Sequence, residues 1–156
     1  ITTLDADLYF ISNPNVVLNN LKNFEIGITP HSFPPELSCL EKHGIYNVSF
    51  QSFPRTDNAI SCLNNWAKSC IEFCGDEIDE LGRYADQKYL DNWNKIFNGV
   101  VDFPFPQIGL APWNIKSIAN QINTNQNIIF YHFHDFKIRS KFHATIGLVN
   151  YNYLFL

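Results

Sequence analysis

Two carboxylates one residue apart stand near the start of the chain, in Leu4-Asp5-Ala6-Asp7-Leu8-Tyr9-Phe10, with apolar residues on both sides. If Ile1 to Leu4 end a buried strand and the backbone turns at Ala6, Asp5 and Asp7 converge on one hard cation. The chemistry this suits is Mn²⁺ or Mg²⁺ held by carboxylate oxygens, with open positions for phosphate oxygens and neutralisation of a departing diphosphate. A D-x-D alone is also what two solvated loop carboxylates look like. Later segments add weight to the cation reading. Tyr131-His132-Phe133-His134-Asp135-Phe136-Lys137 follows an apolar run, so His132 and His134 share a face if the strand continues, and Lys137 is within reach of a phosphate. The plain alternative is a pair of core or edge histidines followed by a surface lysine.

Gly82-Arg83-Tyr84-Ala85-Asp86-Gln87-Lys88-Tyr89-Leu90 puts an acid and an amide at a helix start. Asp86 is either an ordinary N-terminal capping residue or, with Gln87, a group facing a sugar. In that second role one orients hydroxyls and the other stabilises positive charge at an anomeric carbon. Asn47, opening the strand Tyr46 to Phe53, is either structural or a further sugar contact.

These groups need a scaffold. The chain has 156 residues, 46% hydrophobic and 17% charged, enough for one domain with a core. Its net charge is -4 with basic residues spread along the sequence, so neither nucleic acid nor anionic lipid is an expected partner. No apolar run reaches the roughly 20 residues of a membrane span, and the start shows no basic n-region followed by a small-residue cleavage site. Cys39, Cys62, Cys70 and Cys74 fall in helical segments without C-x-x-C spacing and read as buried reduced thiols of a cytosolic protein. The chain contains no Met, which predicts that it begins in mid-protein.

Periodicity predicts a strand over 1–4, a helix from Ser12 to about Asn23, a strand over Phe24 to Thr29, and a short helix over Glu36 to Lys42 after the Pro-rich loop. Tyr46 to Phe53 is a strand. The longest helix is capped by Asp57 and closed by Gly75, with Ile60, Leu63, Ala67, Cys70, Ile71 and Cys74 as its core stripe. Asp76 to Arg83 reads as a solvated loop and Asp86 to Phe97 as an amphipathic helix. Val100 to Phe103 is a strand, Ile115 to Ile122 a helix, Asn120 to Asn127 a turn, and Ile128 to Phe133 a strand. Strands alternating with helices predict an α/β fold with a mixed sheet flanked by helices.

The order of these segments resembles metal-dependent nucleotide-sugar glycosyltransferases of the GT-A fold. The resemblance is to the glycogenin and bacterial lipopolysaccharide galactosyltransferase-like branch and its uncharacterised bacterial relatives. It runs through Leu4-Asp5-Ala6-Asp7, Ile45-Tyr46-Asn47, Ala85-Asp86-Gln87-Lys88-Tyr89-Leu90, Leu110-Ala111-Pro112-Trp113-Asn114 and Tyr131-His132-Phe133-His134, covering most of the chain. It implies Asp5, Asp7 and His132 as metal ligands, Lys137 on the donor phosphates, Asp86 and Gln87 as catalytic groups, and Asn47, Trp113 and Asn114 as substrate contacts. The chain departs from the branch pattern at Asp135, where Gly is the rule, and Lys137 comes one position early; His134 is therefore the alternative ligand. The implied activity is transfer of a hexose from a nucleoside diphosphate sugar, UDP being the commonest handle, to an envelope glycan or similar hydroxyl acceptor. The rival readings are a non-catalytic sugar-nucleotide-binding module of the same fold and a metal-dependent hydrolase. The resemblance further implies one catalytic domain over 1–156 that lacks the amino-terminal nucleotide-binding half. Such a piece would be inactive alone, and would self-associate or rely on that half from another chain. The full-length protein would be cytoplasmic, peripheral to the inner membrane.

Overall fold

A computed structural model describes residues 1–19, 24–119 and 127–151. It is a mixed α/β structure built on a four-stranded mixed sheet of order β1-β4-β3-β5, where β1 is Thr2–Leu4, β3 Ile26–Pro30, β4 Tyr46–Ser52 and β5 Val100–Asp102. β3 pairs with β5 in parallel and with β4 antiparallel, and β4 pairs antiparallel with β1. β3 reads Ile-Gly-Ile-Thr-Pro and is buried through Thr29, as expected of an inner strand covered on both faces. β1 is an outer strand. Its Leu4 is half exposed and Ile1, at the start of the segment, is mostly exposed, which corrects the expectation of a buried strand over 1–4.

One face of the sheet is covered by α2 (Asp57–Glu72) and by the segment 88–96, which is a 3-10 turn running into the single helical turn α3 (Trp93–Ile96). Ile26, Ile28, Tyr46 and Phe53 pack there against Ala59, Cys62, Leu90 and Trp93. The buried stripe of α2 differs from the expected one. Ala59, Cys62, Leu63 and Trp66 turn inward, while Ile60 and Ile71 are exposed, because Trp66 lies edge-on to Trp93 and donates its Nε1 to the Asp86 carbonyl at 2.8 Å. The bulky indole fixes the helix rotation that a count of aliphatic residues missed. Thr56, rather than Asp57, caps the helix by accepting from the Ala59 amide at 3.2 Å, and Phe73, not Gly75, ends it. Of the four thiols only Cys62 is buried, and all four are free.

The other face meets a second layer. Phe50 and Phe103 pack against Val17 of α1 (Asn15–Leu18), Ile108, Ile129 and Phe130. This layer carries the antiparallel pair of β2 (Leu8–Phe10) and β6 (Phe130–His132). β6 stops at His132, and a turn with positive φ at Asp135 sends the chain into the hairpin of β7 (Phe136–Ser140) and β8 (His143–Ile146). His132 and His134 are therefore not successive residues of one strand face. The helix expected from Ile115 is present as α4 (Ile115–Ala119); the rest of it, the end of the first helix and most of Asn120 to Asn127 lie outside the described residues.

Candidate functional site

Asp5 and Asp7 sit where the chain leaves one sheet and enters the other. The Asp5 amide donates to the Ser49 carbonyl of β4 at 3.1 Å, while the Asp7 carbonyl accepts from the Phe133 amide at 2.8 Å, next to the Leu8–His132 pair of β2 and β6. The two carboxylates thus hang over the seam between the layers. His132 comes up from β6 beneath them, with Nε2 3.1 Å from Asp7 Oδ1 and 3.7 Å from Asp5 Oδ2. One ligand-capable atom from each of the three residues falls within 4.8 Å of the others.

The register beneath this cluster depends on an irregular β4. Pairing with β3 shifts between Gly27 and Thr29. Within β4 the Asn47 Oδ1 accepts from the Ser49 amide at 3.0 Å, its Nδ2 donates to the Pro30 carbonyl at 3.2 Å, and Gln51 Nε2 donates to the Asn47 carbonyl at 2.7 Å. Asn47 thereby shapes the bend that presents the Ser49 carbonyl to Asp5, though it also borders the cavity described next.

The cluster lines a cavity of about 760 Å³ whose wall also includes His31, Phe33, His43, Tyr84, Trp113 and Tyr151. His43 and Tyr84 stack with ring centroids 4.6 Å apart, and His31 stacks on Phe33 at the same distance. The volume suits a ligand of nucleotide size, and the mixture of aromatic faces and few polar groups is typical of small-molecule sites. His31, His43 and Tyr84 were not legible as site residues, since each is a single aromatic in an otherwise unremarkable segment. The loop signal around Pro30 and Pro34 was the only hint that His31 is rigidly held.

Electrostatics at the cluster favour a cation. Burial, together with the neighbouring Asp7 and Asp86 carboxylates, pushes Asp5 up to about 6. His132 is held down to about 4, mainly by burial and further by His134, against the pull of Asp7. Its imidazole is therefore neutral near pH 7, and its Nδ1 is buried with no hydrogen-bond partner, so Nε2 facing the carboxylates is the ring's polar contact. Crowded carboxylates and a neutral imidazole fit a divalent ion such as Mn²⁺ or Mg²⁺, which would relieve the like-charge repulsion.

The other expected site residues divide. Gln87 reaches the cavity and donates Nε2 to the His43 carbonyl at 3.1 Å. Asp86 is not on the wall, though its carboxylate lies near enough to Asp5 to raise it; Asp86 is itself raised by burial and held partly in check by its own and the Gln87 backbone amides. Trp113 borders the cavity and meets His132 and His134 edge-on at 5.3 and 5.5 Å, with Nε1 donating to the His31 carbonyl at 2.7 Å. Asn114 is fully buried behind it. Both Nδ2 donors go to the His31 and Gly109 carbonyls at 2.9 and 2.8 Å, and Oδ1 accepts from the Ala111 amide at 2.9 Å, so its amide is spent on the loop. His134 lines the cavity but stands outside the Asp5–Asp7–His132 cluster. Lys137 is absent from the wall and is ion-paired with Asp135 on the exposed hairpin, because β7 carries it away from the turn.

No family model and no solved structure matches this chain. Two proteins of Bacillus subtilis (strain 168) do. The uncharacterized protein YfnF is 30% identical over 154 residues, covering 90% of this chain and 50% of YfnF. The uncharacterized protein YfnD is 29% identical over 143 residues, covering 86% of this chain and 46% of YfnD. The chain spans about half the length of these curated relatives. The fold and site define it as a mixed α/β protein with a cavity lined in part by a carboxylate–imidazole cluster.

Proposed function

We propose that the chain forms the metal-binding part of a glycosyltransferase that uses a nucleoside diphosphate sugar and a divalent cation, in a GT-A-type fold. The observation that carries this reading is the convergence of Asp5, Asp7 and His132 within 4.8 Å on the wall of a nucleotide-sized cavity. Asp5, Asp7 and His132 would hold Mn²⁺ or Mg²⁺, which when bound supplies charge neutralisation for a departing diphosphate. The chain's own residues do the rest. The stacked His43–Tyr84 and His31–Phe33 pairs give flat apolar surfaces for the organic part of the donor, and Trp113 screens His132 from solvent. Gln87, tethered to the His43 carbonyl, keeps its amide oxygen for a hydroxyl or a developing positive charge. A hydroxyl of a glycan or similar molecule is the proposed acceptor.

The test is calorimetric titration of UDP into the purified chain with and without Mn²⁺. UDP should bind only when Mn²⁺ is present, and Asp7→Asn should remove that dependence. UDP binding of equal strength without the metal would overturn the reading.

A further inference from the structure

A diphosphate sharing the cavity with the Asp5–Asp7–His132 cluster needs N–H donors as well as a metal. One divalent ion balances the two carboxylates and leaves the charge of the diphosphate itself uncompensated. Among the described residues no Lys or Arg lines the cavity, whereas four of the five histidines do. Lys137, which the resemblance puts on the phosphates, is exposed on β7 and ion-paired with Asp135. The chain therefore brings imidazoles, rather than ammonium or guanidinium groups, to the place where the anion would lie.

Most donors on the wall are already engaged. Asn47 gives its amide nitrogen to the Pro30 carbonyl, Gln87 to the His43 carbonyl and Asn150 to the Asp135 carboxylate. His132 faces the carboxylates, and His31 is buried, with Nδ1 enclosed and a backbone partner at Gly44. His43 lies against Tyr84, and among the described residues no ring contact joins it to the cluster. His134 differs from all of these. Its side chain is exposed on the cavity wall, and among the described residues no hydrogen bond or ion pair takes its ring nitrogens. Its ring centroid is 5.8 Å from that of His132, so it stands beside the cluster without belonging to it.

The backbone fixes that position. Asp135 takes φ +57°, and the Phe136 amide donates to the Phe133 carbonyl at 2.9 Å. A Cβ on Gly147 would lie 2.5 Å from the His134 carbonyl oxygen, so the chain leaving β8 closes directly against this turn. Trp113 and Tyr151 flank the ring, with centroids 5.5 and 6.3 Å away. The turn that follows β6 thus carries Lys137 off the cavity and holds His134 on it.

We propose that His134 donates an imidazole N–H to a phosphate oxygen of the donor diphosphate, in the place that Lys137 leaves. It positions the diphosphate and does not ligate the ion. An imidazole carries an N–H whether neutral or charged, so the contact needs no particular protonation state. This role rests on the reading of the cavity as a nucleoside diphosphate sugar site, and deepens it by assigning the phosphate contact to a residue of the turn.

The test is calorimetric titration of UDP into the purified chain with Mn²⁺, beside electron paramagnetic resonance titration of Mn²⁺ alone. His134→Ala should weaken UDP binding about tenfold or more, the loss expected of a hydrogen bond to a charged group, while Mn²⁺ affinity stays within about threefold. His134→Gln, whose amide donates from a similar reach, should recover most of that loss. His134→Phe, which keeps the ring contacts with Trp113 and Tyr151, should recover none of it, and Lys137→Ala should leave UDP affinity within about twofold. Mn²⁺-dependent UDP binding that is unchanged in His134→Ala, or fully kept in His134→Phe, would overturn the phosphate role and leave the assignment of the cavity in place. So would a larger loss with Lys137→Ala, or a fall in Mn²⁺ affinity with His134→Ala as large as the fall in UDP affinity. Absence of Mn²⁺-dependent UDP binding in the unaltered chain would instead overturn the assignment of the cavity, and the role of His134 with it.

Discussion

Asp7 Oδ1 lies 3.1 Å from His132 Nε2, although the two residues come from opposite ends of the chain. The contact follows from strand pairing: Leu8 is opposite His132, and the Asp7 carbonyl accepts from the Phe133 amide at 2.8 Å. A one-residue slip between β2 and β6 would turn the imidazole to the other side of the layer. Register is thus what makes the cluster.

Asp7→Ala should lower Mn²⁺ affinity by about a hundredfold or more, because a charged ligand is lost. His132→Ala should cost about tenfold, water replacing a neutral ligand. His134→Ala, outside the cluster, should cost less than about threefold. Electron paramagnetic resonance titration of free Mn²⁺ ranks the three, and a larger loss with His134→Ala than with His132→Ala would reassign the imidazole ligand.

Asn47→Ala is expected to act on Asp5 from a distance. Removing the amide frees the Ser49 amide and the bend of β4 that holds the Asp5 amide at 3.1 Å. Stability should fall by about 1 to 3 kcal/mol, the cost of leaving a buried donor unpaired. Mn²⁺ affinity should fall with it, by about three- to tenfold. Asn47→Asp, which keeps the acceptor, should recover most of the affinity; failure to do so would detach Asn47 from the positioning of Asp5.

Asn114→Ala leaves the Gly109 carbonyl and the Ala111 amide without their partner, while the His31 carbonyl keeps Trp113 Nε1. A loss of about 2 to 4 kcal/mol in urea unfolding is expected. If Asn114 instead served the donor directly, nucleotide affinity would drop with stability unchanged.

Acid sensitivity should come in large part from His31. Burial holds this imidazole down to about 3, and His132, His134 and His43 add to the lowering while a backbone hydrogen bond at Gly44 opposes it. A base with a folded-state value below its ordinary 6.5 contributes stability above that value and loses it as pH falls toward the folded value. The loss is about 1.4 kcal/mol per pH unit below 6.5. His132 acts in the same sense down to about 4, and Asp5, raised to about 6, acts in the opposite sense over the same range. His31→Phe should therefore flatten the decline in melting temperature between about pH 7 and pH 5. An unchanged decline would remove His31 from the account.

The sequence by itself determined the alternation of strands and helices, a strand over Phe24 to Thr29 that overlaps β3, the strand from Tyr46, and the segments from which Asp5, Asp7 and His132 come. These follow from local periodicity and from residue types whose chemistry is narrow: paired carboxylates and an imidazole after an apolar run. Only tertiary structure decided which helix face of α2 is buried, because the Trp66 indole outweighs a stripe of smaller aliphatics once Trp93 and the Asp86 carbonyl are there to receive it. It also decided that His132 and not His134 meets the carboxylates, since β6 ends at His132 and the chain turns before the next residues can alternate. Asn114 reads in the sequence as a substrate contact; in the structure its amide is claimed by the local Gly109 and Ala111 backbone and by the His31 carbonyl, which is distant along the chain.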